Sequence, residues 1–251
     1  GRLEIILELQ LIVLAAVLGY LLGSLSFARI VGQMVDPSAD VTRIVEEFPD
    51  GHTFESNSAS ATAARMALGT RWGVTTGLLD MAKVGVPALI WVLLYPDNPA
   101  YGLISGIAGH LGHVLPLYHR FVGGRGESAV YGVVLLLDPL GALVTTVAGT
   151  LLGLVIGHIL IFRWAGLVLL IPWMAWRHDD SAYVVYMVAA NVIYWTSMIP
   201  ELRQYVQLLR QGAPMTQEEI AGSFAMGEFL GRTMDRYSLL AWWGNRKHAE
   251  D

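Results

Sequence analysis

Residues 72–95 read Trp72-Gly-Val-Thr-Thr-Gly-Leu-Leu-Asp-Met-Ala-Lys-Val-Gly-Val-Pro-Ala-Leu-Ile-Trp-Val-Leu-Leu-Tyr95, an apolar run in which only Asp80 and Lys83 carry charge. A helix of about 20 mostly apolar residues crosses the ~30 Å hydrocarbon core of a bilayer. This run therefore reads as a membrane span. Six further runs join it: Ile5–Leu22, Ala100–Tyr118, Ser128–Leu137, Leu140–Ile161, Trp164–Trp176 and Ala182–Ile199. The expectation is an all-α, polytopic integral membrane protein with about seven transmembrane helices. Ser128–Leu137 and Trp164–Trp176 are short for a full crossing, and the first reads as a tilted or broken helix.

The composition agrees. The chain has 251 residues, 54% of them hydrophobic and 15% charged. Soluble domains carry about 25% charged residues, so this one lacks the polar surface that water demands. The formal net charge of −5 disfavours a nucleic-acid partner. With no cysteine, disulfides, thiolate metal sites and a Cys nucleophile are excluded. The first apolar run reads as a first transmembrane helix rather than a removable signal peptide.

Basic residues give an orientation. Arg43, Arg65 and Arg71 fall between the first two spans, Arg120 and Arg125 between the third and fourth, and Arg163 between the fifth and sixth. Arg203, Arg210, Arg232, Arg236, Arg246 and Lys247 follow the last span, while the opposite side holds little beyond Arg2 and Arg177. The positive-inside rule then puts the N-terminus outside and the tail in the cytoplasm. Residues 1–212 form the expected seven-helix domain and 213–251 a cytoplasmic or interfacial extension. A capping box at Thr216-Gln-Glu-Glu219 starts a helix there, with Ile220, Phe224 and Phe229 on its apolar face. The acidic stretch Asp36–Thr53 reads as a cytoplasmic loop.

Ionisable groups inside spans are costly and mark function by default. Asp80 and Lys83, at i and i+3, can pair on one helix face. They form either a self-neutralising pair that orders the bundle or part of a site. His110 and His113 are open to a packing role, and no third ligand at a convincing spacing supports a metal. The loop Phe121-Val-Gly-Gly-Arg-Gly126 is more specific, although a flexible re-entrant turn would read the same way. Clustered glycines let backbone N–H groups converge on an anion, Arg125 adds a bidentate donor, and a helix N-terminus follows. Ser24 and Ser26 break the end of the first span, and Asn57 and Arg65 lie on the next loop. By the derived topology all these groups share one membrane face.

The order of these motifs resembles the bacterial acyl-phosphate-dependent glycerol-3-phosphate acyltransferases. Gly23-Ser-Leu-Ser-Phe27 is similar to the family's glycine-serine-x-proline-phenylalanine, with Ser26 in place of proline. Asn57 through Arg65 resembles the second motif, where Asn57 and Arg65 hold and Glu55, Ser56, Ala59 and Thr62 depart. Asp80-Met-Ala-Lys83 matches aspartate-x-x-lysine. Gly112-His-Val-Leu-Pro-Leu-Tyr-His-Arg-Phe-Val-Gly-Gly-Arg-Gly126 keeps the full spacing of the longest motif, with Val122 and Arg125 at the two lysine positions. Leu202 and Tyr205 stand where the family has histidine and asparagine.

The resemblance implies attack of the glycerol 3-phosphate 1-hydroxyl on an acyl phosphate, with no cofactor and no metal, giving lysophosphatidic acid to the membrane lipid. It implies Ser24, Lys83 and His113 as catalytic residues. Asn57, Arg65, Asp80, Gly123, Gly124, Arg125 and Gly126 would bind substrate. The departures support a different reading beside it. Glu55 and Glu127 put negative charge where phosphate should bind, which suits a catalytically decayed relative serving as a subunit of a larger membrane complex, respiratory or photosynthetic. A transporter or lipid-handling protein could use the same polar pocket.

Overall fold

A computed structural model describes residues 1–47, 51–211 and 228–239 of the chain. Its helices are α1 (Arg2–Gly23), α2 (Phe27–Val35), α3 (Ala61–Leu68), α4 (Thr70–Leu94), α5 (Ala100–Val114), α6 (Glu127–Leu137), α7 (Pro139–Ile156), α8 (Ile159–Arg177), α9 (Ser181–Ser197), α10 (Ile199–Arg210) and α11 (Glu228–Tyr237). The protein is a helical integral membrane protein. By length and apolarity, four helical stretches among the described residues qualify as spans: α1 continued by α2, α4, α7 and α8. The pair α9 and α10, bent by 52°, makes a fifth if counted as one. In α5 and α6 the helices have 15 and 11 residues, short of the ~20 a perpendicular crossing needs.

Three sequence expectations change. The stretch Asp36–Thr53 is not wholly loop, because Arg43–Glu47 (β1) pairs with Thr53–Asn57 (β2) in a two-stranded sheet. The expected spans 140–161 and 164–176 divide earlier, at Gly157, whose φ of 85° is readily adopted by glycine and ends α7 at Ile156. The following helix then runs 19 residues from Ile159 to Arg177 and is no longer short. The expected third span stops at Val114, since Pro116 cannot continue a helix, and a 3-10 turn covers Leu117–His119. The capping box at 216–219, Ile220, Phe224 and most of the expected extension lie outside the described residues; Phe229 falls within α11.

The chain divides into two compact units. The first holds 1–44, 57–142 and 171–198. In it α1 packs along α5, α4 packs against both α5 and α6, and α9 lies on α5. Lipid offers helices no hydrophobic reason to associate, so close backbone packing through small residues does the work. A Cβ on Gly19 would fall 2.3 Å from the Ser105 carbonyl oxygen, and one on Gly23 would fall 2.1 Å from that of Gly109. Gly85 meets Gly132 in the same way across α4 and α6. The outward faces of α1 and α4 carry Leu7, Val13, Leu78 and Leu93, all exposed as lipid-facing residues should be. The second unit holds 45–56, 143–170 and 199–251. There Ile159 and Met234 form a small core with Leu154, Phe162 and Tyr205. Its β2 strand is fastened to α10: the Ser56 hydroxyl donates to the buried Glu201 carboxylate, and the Glu55 N–H donates to Gln204 Oε1.

Candidate active site

Within the first unit, α4 brings Asp80 and Lys83 to its inner face, one turn apart, with both side chains buried. Lys83 Nζ lies 2.8 Å from Asp80 Oδ1 and also donates to the Leu25 carbonyl, at the break between α1 and α2. Asp80 Oδ1 is in turn 3.7 Å from His113 Nδ1 at the end of α5. A lysine ammonium has three donors. Two are held here, so its direction is fixed by the fold rather than by solvent.

The glycine loop closes over this trio. The Gly124 N–H donates to the His113 carbonyl, and the Gly123 carbonyl accepts from the Ala59 N–H, both at 3.1 Å. A Cβ on Gly124 would lie 2.1 Å from His113 Nε2, and one on Gly126 would lie 2.0 Å from His110 Nε2. Glycine is therefore required for contact with the two imidazoles. Gly126 also sits at φ 91°, in the left-handed region, and caps α6. The result is a narrow cleft. It is lined by Asp80, Lys83 and His113 on the helices, Gly123 and Gly124 on the loop, and Leu25, Ser26, Ala59 and Pro116 around them.

The sequence-derived residues divide between the cleft and its supports. Asp80, Lys83, His113, Gly123 and Gly124 line the cleft itself. Ser24 is fully buried behind it: its hydroxyl donates to the Tyr20 carbonyl at 2.8 Å and accepts the Leu117 N–H at 3.3 Å. It ties the end of α1 to the turn after α5. Arg125 donates through Nη2 to the Asn57 carbonyl at 3.2 Å, tying the glycine loop to that residue. Ser197 of α9 donates to the Arg125 carbonyl at 3.0 Å, which fixes the loop from its other side. Asn57 and Arg65 both have exposed side chains, Arg65 on α3 with its Cβ against Gly73.

Three residues outside the expected catalytic and substrate-binding set also contribute. Ser26, which stands at a proline position of the motif, lines the cleft. His110 is fully buried against Gly126, with the Arg125 backbone as its polar neighbour. Its one-turn spacing from His113 was the available signal. Arg29 reaches the loop from α2, donating through Nη2 to the Val122 carbonyl at 2.9 Å and through Nη1 to Ser26 Oγ at 3.1 Å. No sequence pattern announced that contact. Among the described residues no group of three His, Asp or Glu side chains is arranged to hold a metal ion.

Comparisons with known proteins converge on one family. The sequence model of the glycerol-3-phosphate acyltransferase family matches residues 13–206. The glycerol-3-phosphate acyltransferase of Pseudomonas syringae is 32% identical over 182 residues, covering 70% of this chain and 85% of that protein. Those of Cupriavidus metallidurans and Bacillus anthracis are 32% and 33% identical, covering 51% and 53% of this chain. The alignments span 59% and 63% of those two relatives, about three fifths of their length. In structure, the chain superposes on crystalline PlsY, an integral membrane glycerol 3-phosphate acyltransferase in its glycerol 3-phosphate form, with a TM-score of 0.65. Sequence identity to it is 21%, over 80% of this chain and 93% of that one, which establishes a shared fold.

Proposed function

The chain belongs to the glycerol-3-phosphate acyltransferase family, and from that premise we propose that it transfers an acyl group from an acyl phosphate to glycerol 3-phosphate. The observation that carries the reading is the buried Lys83–Asp80–His113 constellation packed under the glycine loop. A cation buried this deeply is retained only where it is paired and has work to do on an anion. His113 accepts the proton of the 1-hydroxyl as its oxygen attacks the acyl carbonyl carbon. The carbon–oxygen bond to the phosphate then breaks and inorganic phosphate leaves. Lys83 stabilises charge on the two phosphates and on the carbonyl oxygen, together with N–H groups of the glycine loop other than that of Gly124, which the His113 carbonyl holds. Asp80 keeps Lys83 charged and aimed. Ser24 and Arg125 act as positioning residues, and Asn57 and Arg65 bind substrate at the rim. The product, lysophosphatidic acid, is an amphiphile that passes directly into the surrounding lipid.

The same reading puts the cleft at the cytoplasmic face of a bacterial inner membrane, with the N-terminus outside and residues 213–251 as a cytoplasmic extension. The positive-inside distribution of Arg and Lys supports that orientation. The non-catalytic reading, as a subunit of a respiratory or photosynthetic complex, finds no support in the relatives reported above, all of which are named as acyltransferases.

The test is turnover by the purified protein in detergent. Inorganic phosphate should be released from an acyl phosphate only when glycerol 3-phosphate is present, with lysophosphatidic acid formed in equal amount. Absence of both products across a range of acyl chain lengths would overturn the proposal and favour the non-catalytic reading.

A further inference from the structure

Position 122 opens the glycine loop. In the motif this chain resembles, that position carries a lysine; here it is Val122, which has no side-chain donor. The cation lost from the loop is present beside it from another element. Arg29, on the first turn of α2, places its guanidinium 2.9 Å from the Val122 carbonyl oxygen and 3.1 Å from Ser26 Oγ. Ser26 lines the cleft, and Val122 is bonded directly to Gly123, which also lines it. A guanidinium has five N–H donors, of which these contacts hold two. The others form a planar fork suited to a phosphate.

The surroundings are those of a charge-bearing rim rather than a neutralised pair. His119 is a second nitrogen base close enough to feel the Arg29 charge. Asp40 is the acidic group nearby, but its Oδ1 already accepts the Thr42 N–H at 2.9 Å and the Thr42 hydroxyl at 2.7 Å. No ion pair joins Asp40 to Arg29. Arg29 is half-buried, so its charge is less screened than on an open surface while its free edge remains reachable.

Resting on the acyl-transfer reading, we infer that Arg29 is a phosphate-binding residue of this cleft, supplying from α2 the cation that position 122 no longer carries. The reaction brings two phosphate-bearing molecules together, and a single buried lysine does not neutralise both. Arg29 serves the phosphate group at the mouth of the cleft, above Gly123.

Two variants and two readouts test this. Arg29→Gln removes the charge and, with a side chain two bonds shorter, also the contacts to Val122 and Ser26; Arg29→Gln with Val122→Lys returns a cation to the loop without restoring those bonds. Loss of a charge-assisted contact should weaken binding about 10- to 100-fold. Binding of glycerol 3-phosphate and of a non-hydrolysable acyl phosphonate to the detergent-solubilised protein should show this loss for one of the two in Arg29→Gln, identifying which phosphate it holds. The double variant should recover to within a few-fold, and in steady-state kinetics the effect should appear in the KM of the same substrate more than in kcat. Unchanged binding of both ligands in Arg29→Gln, or a loss that Val122→Lys does not rescue, overturns the inference and leaves Arg29 as a structural tie. A wild type that binds these ligands but does not turn over sinks the acyl-transfer reading alone, and the binding series still decides Arg29.

Discussion

The two ends of α6 each hold a buried aspartate beside a histidine, and the two are built to opposite purposes. At the N-terminal end lies the Asp80–Lys83–His113 cleft. At the C-terminal end Asp138 is also buried, but both of its oxygens are satisfied. Oδ1 accepts the Gly141 N–H at 2.9 Å, while Oδ2 accepts Trp173 Nε1–H at 2.9 Å and lies 3.0 Å from His178 Nε2. The His178 ring stacks on Tyr183 at 3.9 Å, and Trp173 meets Trp176 edge-on. Burial pushes the Asp138 pKa up, but the hydrogen bonds from Gly141, Trp173 and His178 outweigh it and hold the carboxyl below its ordinary value. In the cleft, by contrast, His113 Nδ1 is left without a hydrogen bond, with Asp80 Oδ1 3.7 Å away. A fully satisfied cluster fixes structure, whereas one with capacity left over costs stability and has something still to bind.

The sharpest way to break this contrast is Lys83→Ala. It leaves Asp80 as an unpaired buried charge, which costs about 3–5 kcal/mol of stability. It also removes a positioned cation, worth roughly 10²- to 10³-fold in rate. Pairing it with Asp80→Asn should recover most of the stability, read as detergent thermal unfolding, and none of the turnover. If the double variant still turned over phosphate, the cleft would be no more than a second structural cluster.

A smaller effect is expected at Gly126→Ala. The methyl would point at His110 Nε2, 2.0 Å away, on a residue held at φ 91°. Left-handed strain costs about 1–2 kcal/mol for a non-glycine residue. Displacement of the loop by even 1 Å can lower the rate on the order of 10²-fold. Turnover should therefore fall more than stability does. A variant with wild-type kcat and KM would show that the loop's contact with the histidines is incidental.

The smallest effect belongs to the far end of α6. Trp173→Phe removes one donor to Asp138 and should lower stability by about 1 kcal/mol without changing turnover at low temperature. The folded-state pKa of Asp138 is depressed. Its stabilising contribution is therefore present above the unfolded value of ~3.9 and is lost as pH falls through the lower folded value. The gap in unfolding temperature between Trp173→Phe and wild type should accordingly narrow in that acid range. A loss of turnover in Trp173→Phe at neutral pH would instead couple the two ends of the helix.

Much of the site was legible because helix periodicity is. Asp80 and Lys83 at i, i+3 had to share a face, and the glycine cluster announced close backbone approach. The break at Gly157 was less visible, because apolar residues continue on both sides and hydropathy does not register one positive φ. The pairing of Arg43–Glu47 with Thr53–Asn57 was hidden by acidic residues, which read as loop although each strand buries one large apolar side chain, Ile44 and Phe54. Gly19-Tyr-Leu-Leu-Gly23 was a readable signal of helix contact: two glycines four apart on α1 are what let α5 approach.

The sequence by itself determined that this chain lives in a membrane, that it is helical, and that it carries an acyltransferase-like order of motifs. Each follows from residue type and spacing along one chain, which local periodicity and hydropathy express directly. Only the tertiary structure decided what those residues meet. Asp80 and His113 lie on different helices, Ser24 acts behind the cleft rather than in it, and Arg29 stands beside a loop 93 residues away in sequence. Such contacts depend on how closely α1, α4 and α5 pack, a distance set by the side-chain volumes of several helices together. Charge can therefore be lost at position 122 and supplied from position 29, because a phosphate responds to the position of a cation in space and not to its place in the chain.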